Sequence, residues 1–146
     1  MNYISTRGSK EKLSAAQAII AGIAADGGLF VPDELPQVDL AFIESLTELS
    51  YEQRAVKILE KFLTDYSEAE LQGCVERAYG KDKFDTKEIA PVTALPGESV
   101  LELWHGPTSA FKDMALQLLP QLMSTALRKT GEKSDIVILV ATSGDT

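Results

Sequence analysis

Two short strings in this 146-residue sequence hold residue types that do covalent and acid–base chemistry. The first is HGPTSAFKD, residues 105–113, where Lys112 follows a Gly-Pro turn and two hydroxyl residues. On one continuous helical wheel Lys112 heads the row Ala115, Leu116, Leu119, Leu122, Met123, Ala126 and Leu127. Asp113, Gln117, Gln121, Ser124 and Arg128 fall opposite. An ammonium at the head of a core-facing stripe is costly to desolvate, and the first turn of a helix disfavours a cation. Both effects favour the neutral amine, which is the nucleophilic form. The competing reading is a lysine that lays its stem along the stripe and sends its head to water, the commoner fate of a helix-end lysine.

The second string is ATSGDT, residues 141–146. Thr142, Ser143 and Thr146 offer hydroxyls, and Gly144 lets backbone approach an anion closely. Asp145 is a candidate acceptor for a phenolic or hydroxyl group; a turn aspartate bonding its own backbone is an equal alternative. His105, the single histidine, is a candidate ring-stacking or supporting group, with a satisfied structural histidine as the plainer reading. Arg7, in YISTRG, offers an anion contact or a surface ion pair of small worth. Cys74 lies on an apolar helical face and reads as core.

These strings need elements that hold them. Ser14 with Gln17 forms a capping-box pattern before Ala18, Ile19, Ile20 and Ile23, predicting a helix to about Ala24. Asp26-Gly27-Gly28 breaks it, and LFVP reads as a short extended piece. Asp39 caps a short helix through Leu46. Ser50 with Gln53 starts a helix whose stripe is Ala55, Ile58, Leu59, Phe62 and Leu63, and Ser67 with Glu70 starts another that ends at Gly80. The pattern changes between Lys81 and Gly97. A domain boundary is therefore expected near residues 80–95, giving a mainly helical domain over 1–90 and a second, incomplete α/β domain over 91–146. In the second, VLELW reads as a strand, Ala110 to Arg128 as a helix kinked at Pro120, and DIVILVA as a strand buried on both faces. Strand, helix, strand begins an α/β sheet with parallel pairing, and both strings fall at strand C-terminal edges, where such sheets place ligands. The chain stops inside a loop after a strand, so a piece of a longer protein is expected.

Composition narrows the classes. With 45% hydrophobic and 25% charged residues the chain is an ordinary globular one. The apolar stretch 15–25 is interrupted by Gln17 and is about half of what a membrane span needs. One cysteine and no Cys/His cluster leave neither a disulfide framework nor a structural zinc. With no secretory signal a cytoplasmic location is the default. The net charge of −8 is concentrated in residues 13–76, and such a surface repels nucleic acid and anionic lipid.

YISTRG, DGGLFVP, LELWHGPTSAFKD and ATSGDT occur in the order found in threonine synthases, and the chain resembles that family over nearly its whole length. HGPTSAFKD is the specific string, whereas SGDT has relatives with Asn in place of Asp. The resemblance implies the fold of tryptophan-synthase-β-like, fold type II pyridoxal-phosphate enzymes, with an added N-terminal domain. It implies that Lys112 carries pyridoxal 5'-phosphate as an internal aldimine, and that Asp145 lies nearest the cofactor's 3-hydroxyl. Ser143, Gly144 and Thr146 would meet the substrate carboxylate. The implied reaction converts O-phospho-L-homoserine and water to L-threonine and phosphate. Family members continue well past SGDT, into the glycine-rich loop for the cofactor phosphate, so the 146 residues alone are expected to be inactive. Two other readings compete: a threonine or serine dehydratase of the same fold, and a non-catalytic acidic interaction domain.

Overall fold

A computed structural model describes residues 1–80, 82–139, 141 and 144. Four helices of the N-terminal part begin where a short polar side chain can satisfy the first free N–H groups. Helix α1 (Ala15–Ala21) is capped by Ser14, α2 (Leu40–Ser45) by Asp39, α3 (Tyr51–Phe62) by Ser50 and α4 (Glu68–Tyr79) by Ser67. Ser14, Ser50 and Ser67 each make the reciprocal capping box with Gln17, Gln53 and Glu70. Gly80 ends α4, but its φ of −63° is not left-handed. Glycine is needed there because a Cβ would collide with the Glu76 carbonyl oxygen.

The core follows from the α4 stripe. Leu71, Cys74, Val75, Ala78 and Tyr79 recur at helical spacing and all are buried. They meet Val56 and Leu63 from the α3 side, Ala15 and Ala16 of α1, and Leu122 and Ala126 of α6 (Leu119–Thr130). Ile58, expected in the α3 stripe, is 44% exposed. Together with Phe42, Ile43, Leu46 and Phe62 it lines a small surface hollow beside α2. Cys74 is core, as its face predicts, with Sγ 3.4 Å from the Gln121 carbonyl oxygen.

Strands are few and short. β1 (Tyr3–Ser5) pairs antiparallel with β2 (Phe30–Pro32), in register Tyr3 to Pro32. β3 (Val92–Leu95) and β4 (Glu98–Leu101) form an antiparallel hairpin, in register Val92 to Leu101. The VLELW strand therefore begins and ends earlier than expected, and its partner is its own hairpin. Of DIVILVA, residues 135–139 carry no strand hydrogen-bond pattern among the described residues, and Val140 lies outside them. Instead Ile136–Leu139 line a broad apolar groove with Ile19, Ile20, Ile23 and Met123.

The helix expected over 110–128 is two helices. α5 (Asp113–Leu116) stops and α6 restarts at Leu119, with Pro120 in its first turn. A proline inside a helix lacks the N–H that would reach residue 116 and crowds that carbonyl, whereas the first turn of a new helix tolerates it. The break overturns the single wheel. Leu122 and Ala126 are buried as expected, but Leu116 and Leu119 are exposed and Asp113, placed on the polar side, is fully buried. No helix among the described residues is long and apolar enough to cross a membrane.

Candidate functional site

The HGPTSAFKD segment is a wound loop fixed at both ends. The Ser109 N–H donates to the Gly106 carbonyl at 3.0 Å, closing a turn, and Ser109 itself has φ +54°. A left-handed conformation at a non-glycine residue costs about 1 kcal/mol, so the surrounding contacts must hold it. They do. The Thr108 N–H donates to Asp113 Oδ2 at 2.8 Å, folding the loop back over the start of α5. Gly106 lies so close to Asp113 that a Cβ there would sit 2.5 Å from the Asp113 Cβ.

Lys112 occupies the position just before α5, half-buried, and its side chain caps no backbone N–H. It stands beside Asp113, whose side chain is fully buried and whose Oδ1 has no hydrogen-bond partner among the described residues. From below, the buried Tyr79 hydroxyl donates to the Met114 carbonyl at 2.6 Å and so ties α5 to α4. Burial pushes the Tyr79 hydroxyl pKa well up, so it remains a donor at any working pH. α6 is tied to the same helix: Arg77 Nε donates to Gln121 Oε1 at 2.7 Å, and Lys129 pairs with Glu70 at 2.9 Å. The loop bearing the lysine thus stands on the helical core.

His105, at the head of the loop, sits between two carboxylates. Nδ1 is 2.5 Å from Asp85 Oδ1 and Nε2 is 2.7 Å from Glu102 Oε2. These contacts, Glu102 first, raise the imidazole pKa above its ordinary value. The Thr93 hydroxyl and His105, in that order, hold Glu102 below the usual carboxylate range. Arg7 is exposed and donates to the Asp26 carbonyl at 3.3 Å. The Asp26 carboxylate in turn receives the Ser5 hydroxyl at 2.7 Å and the Gly28 N–H at 2.9 Å, closing the DGG turn onto β1. YISTRG and DGGLFVP are therefore one structural unit.

Of the predicted site residues, Lys112 lies on the described loop, whereas Ser143, Asp145 and Thr146 lie outside the described residues. Gly144 is described, with φ +117°, a conformation that favours glycine. Sequence reasoning missed Asp113 and Asp85. The available signal for Asp113 was Pro120, which resets the helical register; Asp85 carried none, being 20 residues from its histidine.

The fold has counterparts among solved structures. A pyridoxal-phosphate-bound threonine synthase from Brucella melitensis superposes with a TM-score of 0.84 at 40% identity, covering 91% of this chain and 29% of that one. The yeast threonine synthase superposes with a TM-score of 0.79 at 37% identity, covering 88% and 27%. The architecture is thus that of the α/β pyridoxal-phosphate enzymes, seen over part of its length. The family model for the threonine synthase N terminus matches residues 2–79, more than half of the chain. A threonine synthase from Pseudomonas aeruginosa is 45% identical over 148 residues, covering all of this chain and 31% of that protein. The chain belongs to the threonine synthase family, and it spans about a third of the length of the curated relatives it matches.

The described residues fit a carbonyl-bearing cofactor. Lys112, a half-buried residue, is presented by a loop that its own hydrogen bonds fix, and Asp113, next in sequence, has a buried carboxylate oxygen with capacity to accept a bond.

Proposed function

We propose that this chain supplies the N-terminal helical domain and the lysine loop of an enzyme that converts O-phospho-L-homoserine and water to L-threonine and phosphate. The observation that carries this reading is the placement of Lys112, half-buried at the head of α5 on a loop clamped by Asp113 and Thr108, in a chain of the threonine synthase family. Lys112 would hold pyridoxal 5'-phosphate through its ε-amine, with Asp145 toward the cofactor's 3-hydroxyl and Ser143, Gly144 and Thr146 toward the substrate carboxylate. When bound, the cofactor supplies an electron sink. The chain's own contribution is orientation and proton movement: the Lys112 amine is the base that moves protons at the substrate's Cα and Cβ. A division near residue 90 separates the helical domain from the catalytic one, and α6 crosses it to pack on α1 and α4. The reaction's place is the cytoplasm.

Product analysis tests the reading. The whole protein, given O-phospho-L-homoserine and pyridoxal 5'-phosphate, is expected to release threonine and phosphate in equal amounts. Given free threonine it is expected to form no keto acid; rapid deamination of threonine would assign it to the dehydratases instead. The 146 residues alone are expected to bind the cofactor weakly or not at all and to make no threonine. Measurable turnover by this piece would show that it carries a complete site.

A further inference from the structure

His105 is not used by the chemistry above, yet both of its ring nitrogens are hydrogen-bonded at the head of the lysine loop. Its ring is 15% exposed and touches carboxylates on both sides, at 2.5 Å to Asp85 and 2.7 Å to Glu102. Ionised carboxylate oxygens only accept hydrogen bonds, so both ring nitrogens must donate, and only the doubly protonated imidazolium has two N–H groups. The two acids come from different places. Glu102 follows β4, its other oxygen taking the Thr93 hydroxyl of β3 at 2.6 Å. Asp85 belongs to the segment after α4, and its own N–H donates to the His105 carbonyl at 3.0 Å. Trp104, with its ring centroid 5.6 Å from the imidazole, is an aromatic neighbour and carries no charge. Two stretches far apart in sequence, residues 102–105 and the segment after α4, therefore meet at one ring, with β3 behind them through Thr93.

We propose that His105 is a positioning residue held as the imidazolium, a cationic clasp joining the hairpin exit and the post-α4 segment to the first residue of the loop that presents Lys112. Its neighbour Gly106 is the residue pressed against Asp113, so any movement of the clasp is passed directly to the loop's inner anchor. The sign of its pH response follows from the raised pKa. The clasp is fully formed below the ordinary histidine value of about 6.5 and loosens only as pH rises through the higher folded value. At the acid end it fails when Glu102, whose pKa is lowered, finally protonates.

Nitrogen-15 spectroscopy of the imidazole rings in the whole protein, with the His105 signals identified by their loss in H105Q, tests the charge. At pH 7 both ring nitrogens are expected at imidazolium shifts, and E102Q is expected to lower the titration midpoint. One protonated and one pyridine-like nitrogen at pH 7 would overturn the proposal. The positioning role rests on Lys112 being the cofactor lysine and is read separately, as the rate at which borohydride fixes pyridoxal 5'-phosphate to Lys112. H105Q is expected to slow fixation by about 10- to 100-fold, the penalty of small misplacements at a reacting group. H105R, which keeps the charge and several donors, is expected to recover most of it. Equal fixation rates in wild type and H105Q, with the imidazolium shifts present, would make the clasp structural only and overturn the positioning claim. Failure of the wild type to be labelled at all would overturn the cofactor assignment and leave the spectroscopic result standing.

Discussion

Lys112→Ala is expected to abolish borohydride-dependent fixation of pyridoxal 5'-phosphate and to reduce threonine formation by the whole protein about 10²- to 10⁴-fold, the range for losing a positioned acid–base group. Stability should change little, by about 0.5 kcal/mol, because the side chain caps no helix N–H and is not part of the buried core. Lys112→Arg separates chemistry from charge. It keeps the cation and the reach, but a guanidinium does not lose its proton and cannot attack a carbonyl. It should therefore be as unreactive toward the cofactor as the alanine variant. A labelled peptide recovered from either variant at another lysine would move the site away from this loop.

What could be read from the sequence was what depends on near neighbours. Ser14, Ser50 and Ser67 announce their helices because a capping box is a contact between residues three apart. The buried face of α4 is equally local, since its five core residues follow one helical period. The pairing of β1 with β2 was not legible. Each strand is three residues long, too short to show alternation, and their register is set by the Asp26 turn folding onto Ser5. DIVILVA reads as a strand because it is continuously apolar, yet a run buried on both faces has neighbours that its own residues do not specify. Here Ile136–Leu139 line the groove beside α1 and α6.

The candidate site shows the same division. Lys112 stands out in the sequence because a charged residue before an apolar stripe is locally anomalous, but the structure supports only part of that pattern. The stripe does not run unbroken from Lys112, and Pro120 resets the helix so that Asp113, not Lys112, is the fully buried charge. The loop is held by a glycine pressed on a carboxylate seven residues away and by an imidazole between two acids. Neither arrangement has a period or spacing from which it could be derived.

That glycine gives the sharpest structural test. Gly106 does not have a positive φ, so alanine is conformationally acceptable there and only space is at issue. An added Cβ would lie 2.5 Å from the Asp113 Cβ, 2.6 Å from its Oδ2 and 2.8 Å from its Cγ, all far inside van der Waals contact. Asp113 cannot swing aside cheaply. It is fully buried, Oδ2 holds the Thr108 N–H, and Tyr79 fixes the backbone one residue on. Overpacking of this kind costs about 1–3 kcal/mol, and the strain falls on the Thr108 bond because Thr108 is the exposed partner. Gly106→Ala should thus raise amide hydrogen exchange at Thr108 roughly 30-fold, as expected for about 2 kcal/mol of local opening. Exchange within α3 should stay unchanged. Asp113→Gly in the same background removes the colliding carbon along with the carboxylate. The double variant should therefore be less destabilised than the two single changes added together, because the overlap that penalises Gly106→Ala no longer exists. Additive penalties, or unaltered exchange at Thr108 in Gly106→Ala, would mean that the loop tolerates a side chain at this contact and that the buried carboxylate is not what fixes the lysine in place.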